Sequence, residues 1–295
     1  MGKAAKFLYL LSGRLGGLLG EYGGAAAAYS LRSLTSSSTT NVVKVRRSGD
    51  DAELDFTESQ VSGGTLAAWV VAGGGTQDGF VTTWYDQSGN GNNGTQATAA
   101  SQPKIVSSGT LVTENGKAAL DFDGVNDFFL ISNQIKPTTD ELYFSAVVNA
   151  TISGSNKAIL AHAYFFGSYY FTVQSNVAAQ NPSKAKANVG SSGTDYAVHS
   201  TSDADGGQAL ITAYYTGTNN NVAVNGETVN SVAASGTITY NANDRTAIGV
   251  FTNSTGQLAS IWDGSMQEII FYPTDQSANR TGIEANINAH YNIYP

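Results

Sequence analysis

The chain has 295 residues, 41% of them hydrophobic and 13% charged, with a formal net charge of −8 and no cysteine. The missing cysteines exclude disulfides, thiolate metal sites and cysteine nucleophiles. No basic run is longer than Lys44, Arg46 and Arg47, so the clustered cations that a nucleic-acid groove needs are missing as well.

The chain opens with a basic stretch, Met1 to Lys6, then the apolar Phe7 to Leu11. That run is shorter than the core of a secretory signal and far below the ~20 apolar residues of a membrane span. The pattern predicts a docking arm over residues 1–25, anchored by Phe7, Leu11, Leu15, Leu18 and Leu19. A signal peptide and a disordered tail are the alternatives. One domain follows over residues 26–295, a length that an all-β core can span.

Ala28 to Leu34 alternates and reads as a strand, as do Val42 to Arg47 and Leu54 to Phe56 around the turn-forming Gly49, Asp50 and Asp51. Thr65 is a candidate cap for a short helix carrying Leu66, Trp69 and Val70. Further strands are expected at 80–85, 118–122, 142–148, 158–161, 169–173, 210–215 and 222–224, the last before Asn225-Gly226, a strong hairpin signal. Residues 181–205 are polar and predict a surface loop or a weak edge. Strands at 238–240, 247–251 and 266–272 follow. Ile283, Ile287 and Tyr291 recur every fourth residue and predict a final helix with Ser277 as its N-cap. Many short strands without βα alternation predict an all-β sandwich or jelly roll.

Four groups of residues carry candidate chemistry. Asp121 and Asp123 sit two apart on a strand and share a face, as a retaining glycosidase's two carboxyls about 5 Å apart would require. The competing role is turn capping at Asp123-Gly124. Glu268 is a second acidic candidate. The loop Asp86 to Asn93 offers calcium the oxygens of Asp86, Asn90 and Asn92, or it forms an Asx turn that satisfies its own backbone. The aromatic run from His162 to Phe171 offers Tyr164, Phe166, Tyr169 and Tyr170 to the C–H faces of a glycan. Trp84 and Trp262 read as core. The three histidines lack metal-ligand spacing.

Three ordered segments, Trp84 to Asn93, Leu120 to Asp127 and Trp262 to Tyr272 with the helix after it, resemble the concanavalin A-like (laminin G-like) domains over residues 26–295. That resemblance implies a concanavalin A-like jelly-roll sandwich. Ala28 to Arg32, Val45 to Ser48 and the Trp84 segment are similar to the catalytic domain of α-L-arabinofuranosidase B and to tailed-phage virion proteins. Thr95 to Val106 resembles the phage group in particular, and the arabinofuranosidases carry disulfides that this chain lacks. The resemblance implies a non-enzymatic virion surface protein, either head decoration, fibre or tail receptor-binding component. It would be joined to other virion proteins through the arm, oligomeric, and able to contact a cell-surface glycan. A glycoside hydrolase of arabinofuranosidase type and a calcium-assisted lectin are the alternatives.

Overall fold

The computed structural model describes residues 16–37, 39–137, 139–151, 156–164, 168–175, 184–191, 194–204, 206–235, 238, 245–252 and 258–295. In chain order the strands begin with β1 (Ala27–Ser30), β2 (Asn41–Arg47), β3 (Glu53–Thr57), β4 (Gly79–Trp84), β5 (Gly94–Thr95) and β6 (Lys104–Ser107). Next come β7 (Thr110–Leu111), β8 (Thr113–Glu114), β9 (Lys117–Ala118), β10 (Leu120–Asp123), β11 (Phe129–Ile131) and β12 (Leu142–Ala150). Then follow β13 (Lys157–Tyr164), β14 (Ser168–Ser175), β15 (Lys184–Ser191), β16 (Thr194–Asp203), β17 (Ala209–Tyr215) and β18 (Asn219–Val224). The last are β19 (Asn230–Ala233), β20 (Arg245–Ile248), β21 (Phe251–Thr252), β22 (Leu258–Ala259) and β23 (Asp263–Tyr272). The helices are α1 (Glu58–Ser62), α2 (Thr65–Ala72) and α3 (Arg280–Tyr291), besides a helical turn at residues 16–21.

Among the described residues nineteen strands form one continuous, antiparallel sheet folded over itself. Its back layer runs β23–β12–β17–β18–β19, with β1 and β10 sharing the other edge of β23. Its front layer runs β3–β2–β4–β5–β11–β20–β13–β14–β15–β16. Strand β6 makes the corner, bonding to β4 on one side and β10 on the other. This is a concanavalin A-like jelly-roll sandwich with a C-terminal helix, as the residues and their resemblance predict.

The core lies between the layers, where Tyr29, Trp84, Phe122, Phe129, Phe144, Ile211, Ile269 and Phe271 meet. The back layer is apolar on its outer side too. Every residue of β17 and nearly every residue of β12 is buried. Strands covered on both faces lose the usual alternation. The outer cover is α3, whose Ile283, Ile287 and Tyr291 pack on Tyr143, Val147, Ile270 and Tyr272.

The arm ends inside this layer. Leu18 is buried in the same outer cluster, Leu19 packs against it, and the Leu19 N–H donates to the Leu34 carbonyl at 2.9 Å. Leu18 and Leu19 therefore anchor the chain to its own sandwich, which corrects their expected role toward another protein. The other expected anchors, Phe7, Leu11 and Leu15, lie outside the described residues.

Two local expectations change, and a third resolves to one of its alternatives. Thr65 is the first helical residue and Gly64, in a left-handed conformation, takes the cap position. At the last helix the Ser277 N–H and hydroxyl both donate to Asp275, and Asn279 stands at the cap. In the stretch expected as a surface loop or a weak edge, the described residues form the paired strands β15 and β16, with β16 at the end of the front layer, and Ala185, Ala187, Val189 and Val198 enter the core. Alanine and valine at alternate positions supply the apolar face there, so few large residues are needed.

Candidate functional site

The loop after β4 begins beside the fully buried Trp84, which packs on Tyr29 with ring centroids 5.7 Å apart. The Asp86 carboxylate then accepts four hydrogen bonds. One oxygen takes the Ala28 and Ser88 N–H groups, each at 2.9 Å. The other takes the Ser88 hydroxyl at 2.8 Å and the Asn92 N–H at 2.9 Å. The Asn90 and Asn92 side-chain amides donate to the carbonyls of Ala25 and Ala26 at 2.9 and 2.8 Å. Gln87 donates to the Ser30 and Arg32 carbonyls and accepts the Leu34 N–H. Asp86, Asn90 and Asn92 are thus engaged as backbone clamps on residues 25–34. A calcium ion on Asp86 would have to displace these donors. No group of three or more His, Asp or Glu side chains is arranged to hold a metal among the described residues.

The same strand β1 is gripped from the helix side. Glu268 is completely buried on the outer face of β23, opposite Ser30. Arg32 meets it in a two-pronged pair, Nε at 2.7 Å and Nη2 at 2.9 Å, one nitrogen to each carboxylate oxygen. The Ser30 and Tyr291 hydroxyls add bonds at 2.9 and 3.2 Å, and Arg32 Nη1 reaches Asn286 at 3.0 Å. Burial alone would lower the Arg32 guanidinium, but the charge and hydrogen bond of Glu268, with Tyr291 and Glu58, together outweigh it and raise the group. Glu268, a catalytic candidate in the sequence, is the strut that joins β1, β23 and α3.

Asp121 and Asp123 do share a face, at the corner where β10 crosses to β6 and β23. Asp123 accepts the N–H groups of Val125 and Asn126 at 2.8 and 3.1 Å, the capping role. Directly across from it stands Asp263, whose partner Lys157 is 3.7 Å away. Asp127 is 6% exposed, accepts only the Asp123 N–H among the bonds seen, and is pushed up to about 6 by burial and then by Asp123 and Asp121. Burial also raises Asp121, with Lys104 opposing and Asp263 and Asp123 adding to the rise.

From this corner a cross-strand row extends over the outer surface: Asn149, Ser265, Asp121, Lys104, Phe80, Arg46 and Glu53 are successive register partners. Arg46 and Lys104 lie over the Phe80 ring at 4.9 and 5.6 Å and are paired with Asp51 and Asp78. The row was not read from the sequence. Its signal was weak, because each member lies on a different strand and only the register brings them together.

The described residues of the aromatic run lie on the paired strands β13 and β14. Tyr164 pairs with Ser168, Ala163 with Tyr169 and His162 with Phe171, and the register shift between the last two pairs leaves Tyr170 in a bulge. Bulges re-aim side chains and occur beside functional sites. Tyr164, Tyr169 and Tyr170 are brought together in the backbone at one end of this strand pair; Phe166 lies outside the described residues. His162 is buried, with Nδ1 2.8 Å from the Thr246 hydroxyl, and burial lowers it to about 4.

No protein-family model and no curated protein matches this sequence. Solved structures do match. An arabinofuranosidase complexed with arabinofuranosyl-α-1,2-xylobiose aligns over 90% of this chain at 15% identity with a TM-score of 0.61. A mutant GH54 α-L-arabinofuranosidase soaked with 4-nitrophenyl α-L-arabinofuranoside aligns over 90% at 14% identity and 0.62. The same enzyme class with a cyclic sulfate inhibitor gives 90%, 15% and 0.59. This chain spans 62% of the length of each. At such identity the likeness is one of fold: the chain has the β-sandwich found in these arabinofuranosidases.

Proposed function

We propose that this chain is a non-enzymatic display domain on the surface of a tailed-phage particle, as head decoration, fibre or tail receptor-binding component, with capacity for glycan contact. The observation that carries the non-enzymatic part is the engagement of two of the three candidate carboxylates, Glu268 and Asp123. Both oxygens of Glu268 are held by Arg32, and Asp123 caps its own turn. A glycosidase needs one carboxyl to attack and one to give a proton. Neither role suits a carboxylate fixed by a guanidinium fork.

The particle assignment rests on the segments Ala28 to Arg32, Trp84 to Asn93 and Thr95 to Val106, which resemble phage virion proteins. The net charge of −8 suits a particle exterior. Oligomerisation would let weak single contacts add through multivalency. The glycan contact is assigned to the strand pair of Tyr164, Tyr169 and Tyr170.

Imaging the native assembly with a label on this chain tests the reading. Density for the sandwich outside the head or on the tail is expected; a protein absent from purified particles would overturn it. A glycan panel tests the contact, with binding lost in Tyr169→Ala and Tyr170→Ala. Binding that survives both changes would move the site elsewhere.

A further inference from the structure

Two Asn-Gly turns flank the end of α3 and use their side-chain amides in opposite ways. Both have the paired left-handed conformation of a type I′ turn: Asn115 and Gly116 at φ 48° and 73°, Asn225 and Gly226 at φ 53° and 73°. Asn115, between β8 and β9, uses its side chain as a donor. Its Nδ2 reaches the Tyr291 carbonyl at 2.9 Å, the Asn292 carbonyl at 3.3 Å and Gln208 Oε1 at 3.2 Å. Asn225 uses its side chain as an acceptor, taking the Leu210 N–H on Oδ1 at 2.8 Å.

Asparagine followed by glycine is open to spontaneous deamidation, because no Cβ shields the glycine nitrogen. We propose that Asn115 is a modification site of this kind, and that its conversion releases the C-terminal end of α3 from the β8–β9 turn. In the reaction hydroxide removes the Gly116 amide proton. The nitrogen attacks Asn115 Cγ, the Cγ–Nδ2 bond breaks and ammonia leaves. The resulting succinimide is opened by water. Attack at Cγ yields aspartate and attack at the backbone carbonyl yields isoaspartate. The net change is an amide plus water to an acid plus ammonia.

The site is accessible to water. Asn115 and Gly116 are both exposed, and a Cβ built on Gly116 meets nothing within 4 Å. Gly226, in contrast, lies under the Tyr294 ring, 3.0 Å from where a Cβ would stand. The consequence also differs. An acid at position 115 sets acceptor oxygens against three acceptor oxygens, whereas an acid at position 225 keeps the acceptor that Leu210 needs. Two further Asn-Gly pairs lie in the loop after β4: Asn90-Gly91, where Asn90 donates to the Ala25 and Ala26 carbonyls and Asn92 backs it up on Ala26, and Asn93-Gly94, where Asn93 Oδ1 accepts the Asp86 N–H and a Cβ on Gly94 would stand 3.2 Å from Phe129.

The test uses the full chain in two arms. Wild-type protein is held in mildly alkaline buffer and peptide-mapped by mass. Conversion at Asn115 ahead of Asn225 is expected, and an Asn115 that keeps its amide while Asn225 converts would overturn the site. In parallel, Asn115→Asp and Asn225→Asp are compared by hydrogen exchange over residues 287–293. Exchange about tenfold faster in Asn115→Asp alone is expected, the loss of a donor turned into repulsion. Equal exchange in the two variants would overturn the release.

Discussion

Two sets of carboxylates lie in this sandwich, and their surroundings differ in one respect. Asp86 and Glu268 both grip strand β1 and are surrounded by donors: N–H groups and a hydroxyl for Asp86, a guanidinium and hydroxyls for Glu268. At the corner Asp121 and Asp127 lie near other carboxylates with Lys104 opposing, while Asp123 caps its own turn and Asp263 faces Lys157. A carboxylate enclosed by donors becomes a structural tie. Burial first, and then the charges of neighbouring carboxylates, raise Asp121 and Asp127. Acidic residues that look alike in the sequence thus divide into ties that hold the first strand and, at Asp121 and Asp127, groups whose proton is held more tightly in the fold.

The largest effect is expected at Glu268. Glu268→Ala leaves Arg32 buried without its partner and should destabilise the fold by about 3–5 kcal/mol in urea denaturation. A loss below about 1 kcal/mol would mean that water replaces the pair, and the distinction between the two sets would fail. Asp86→Ala comes next, at about 2–3 kcal/mol, because the Ala28 and Asn92 N–H groups lose their acceptor. Faster hydrogen exchange should be confined to β1 and the 86–93 loop; uniform exchange across the sandwich would deny Asp86 its local role.

The corner should behave in the opposite sense. The folded-state value of Asp127 lies above the ordinary carboxylate value, so the folded chain binds the proton more tightly than the unfolded chain does. Its contribution is fully present below about pH 4 and is lost as pH rises through about 6. Asp127→Asn keeps an acceptor oxygen for the Asp123 N–H and removes the charge. The variant should be more stable than wild type by about 1–2 kcal/mol at pH 7 and equal to it near pH 4. A variant that is less stable at both pH values would show Asp127 to be a tie like Asp86. The smallest effect is expected at Val125, which is 67% exposed on the corner turn. Val125→Ser should stay within about 0.5 kcal/mol.

Much of the fold was legible because it is written in short-range patterns. The alternation of β1 and β2, the Asn225-Gly226 turn and the fourfold spacing of Ile283, Ile287 and Tyr291 each need only a few neighbouring residues. Strands β15 and β16 were harder to read, since Ala185 and Ala187 face the core without the bulk that signals a strand. Helix α1 was missed altogether. Its start is marked by the Thr57 N–H donating to the Gln60 side chain at 2.9 Å, a capping contact visible as Thr-x-x-Gln.

The site was less legible. The Asp86 to Asn93 loop was found at once, but its role depends on residues 25–34, about sixty positions earlier. The Arg32–Glu268 pair spans 236 positions, and nothing local to either residue announces the other. The strands at β1 and β23 and the helix α3 were each identified, yet the polar strut that joins them was visible only in three dimensions.

Under the proposed function Glu268 and its neighbours hold the fold and take no part in a hydrolytic reaction. The most direct test is hydrolysis of 4-nitrophenyl α-L-arabinofuranoside by the intact protein and by Glu268→Gln, with urea denaturation of both. No turnover in either and a less stable variant is the predicted result. Turnover in the intact protein that disappears in Glu268→Gln while stability is unchanged would contradict the account.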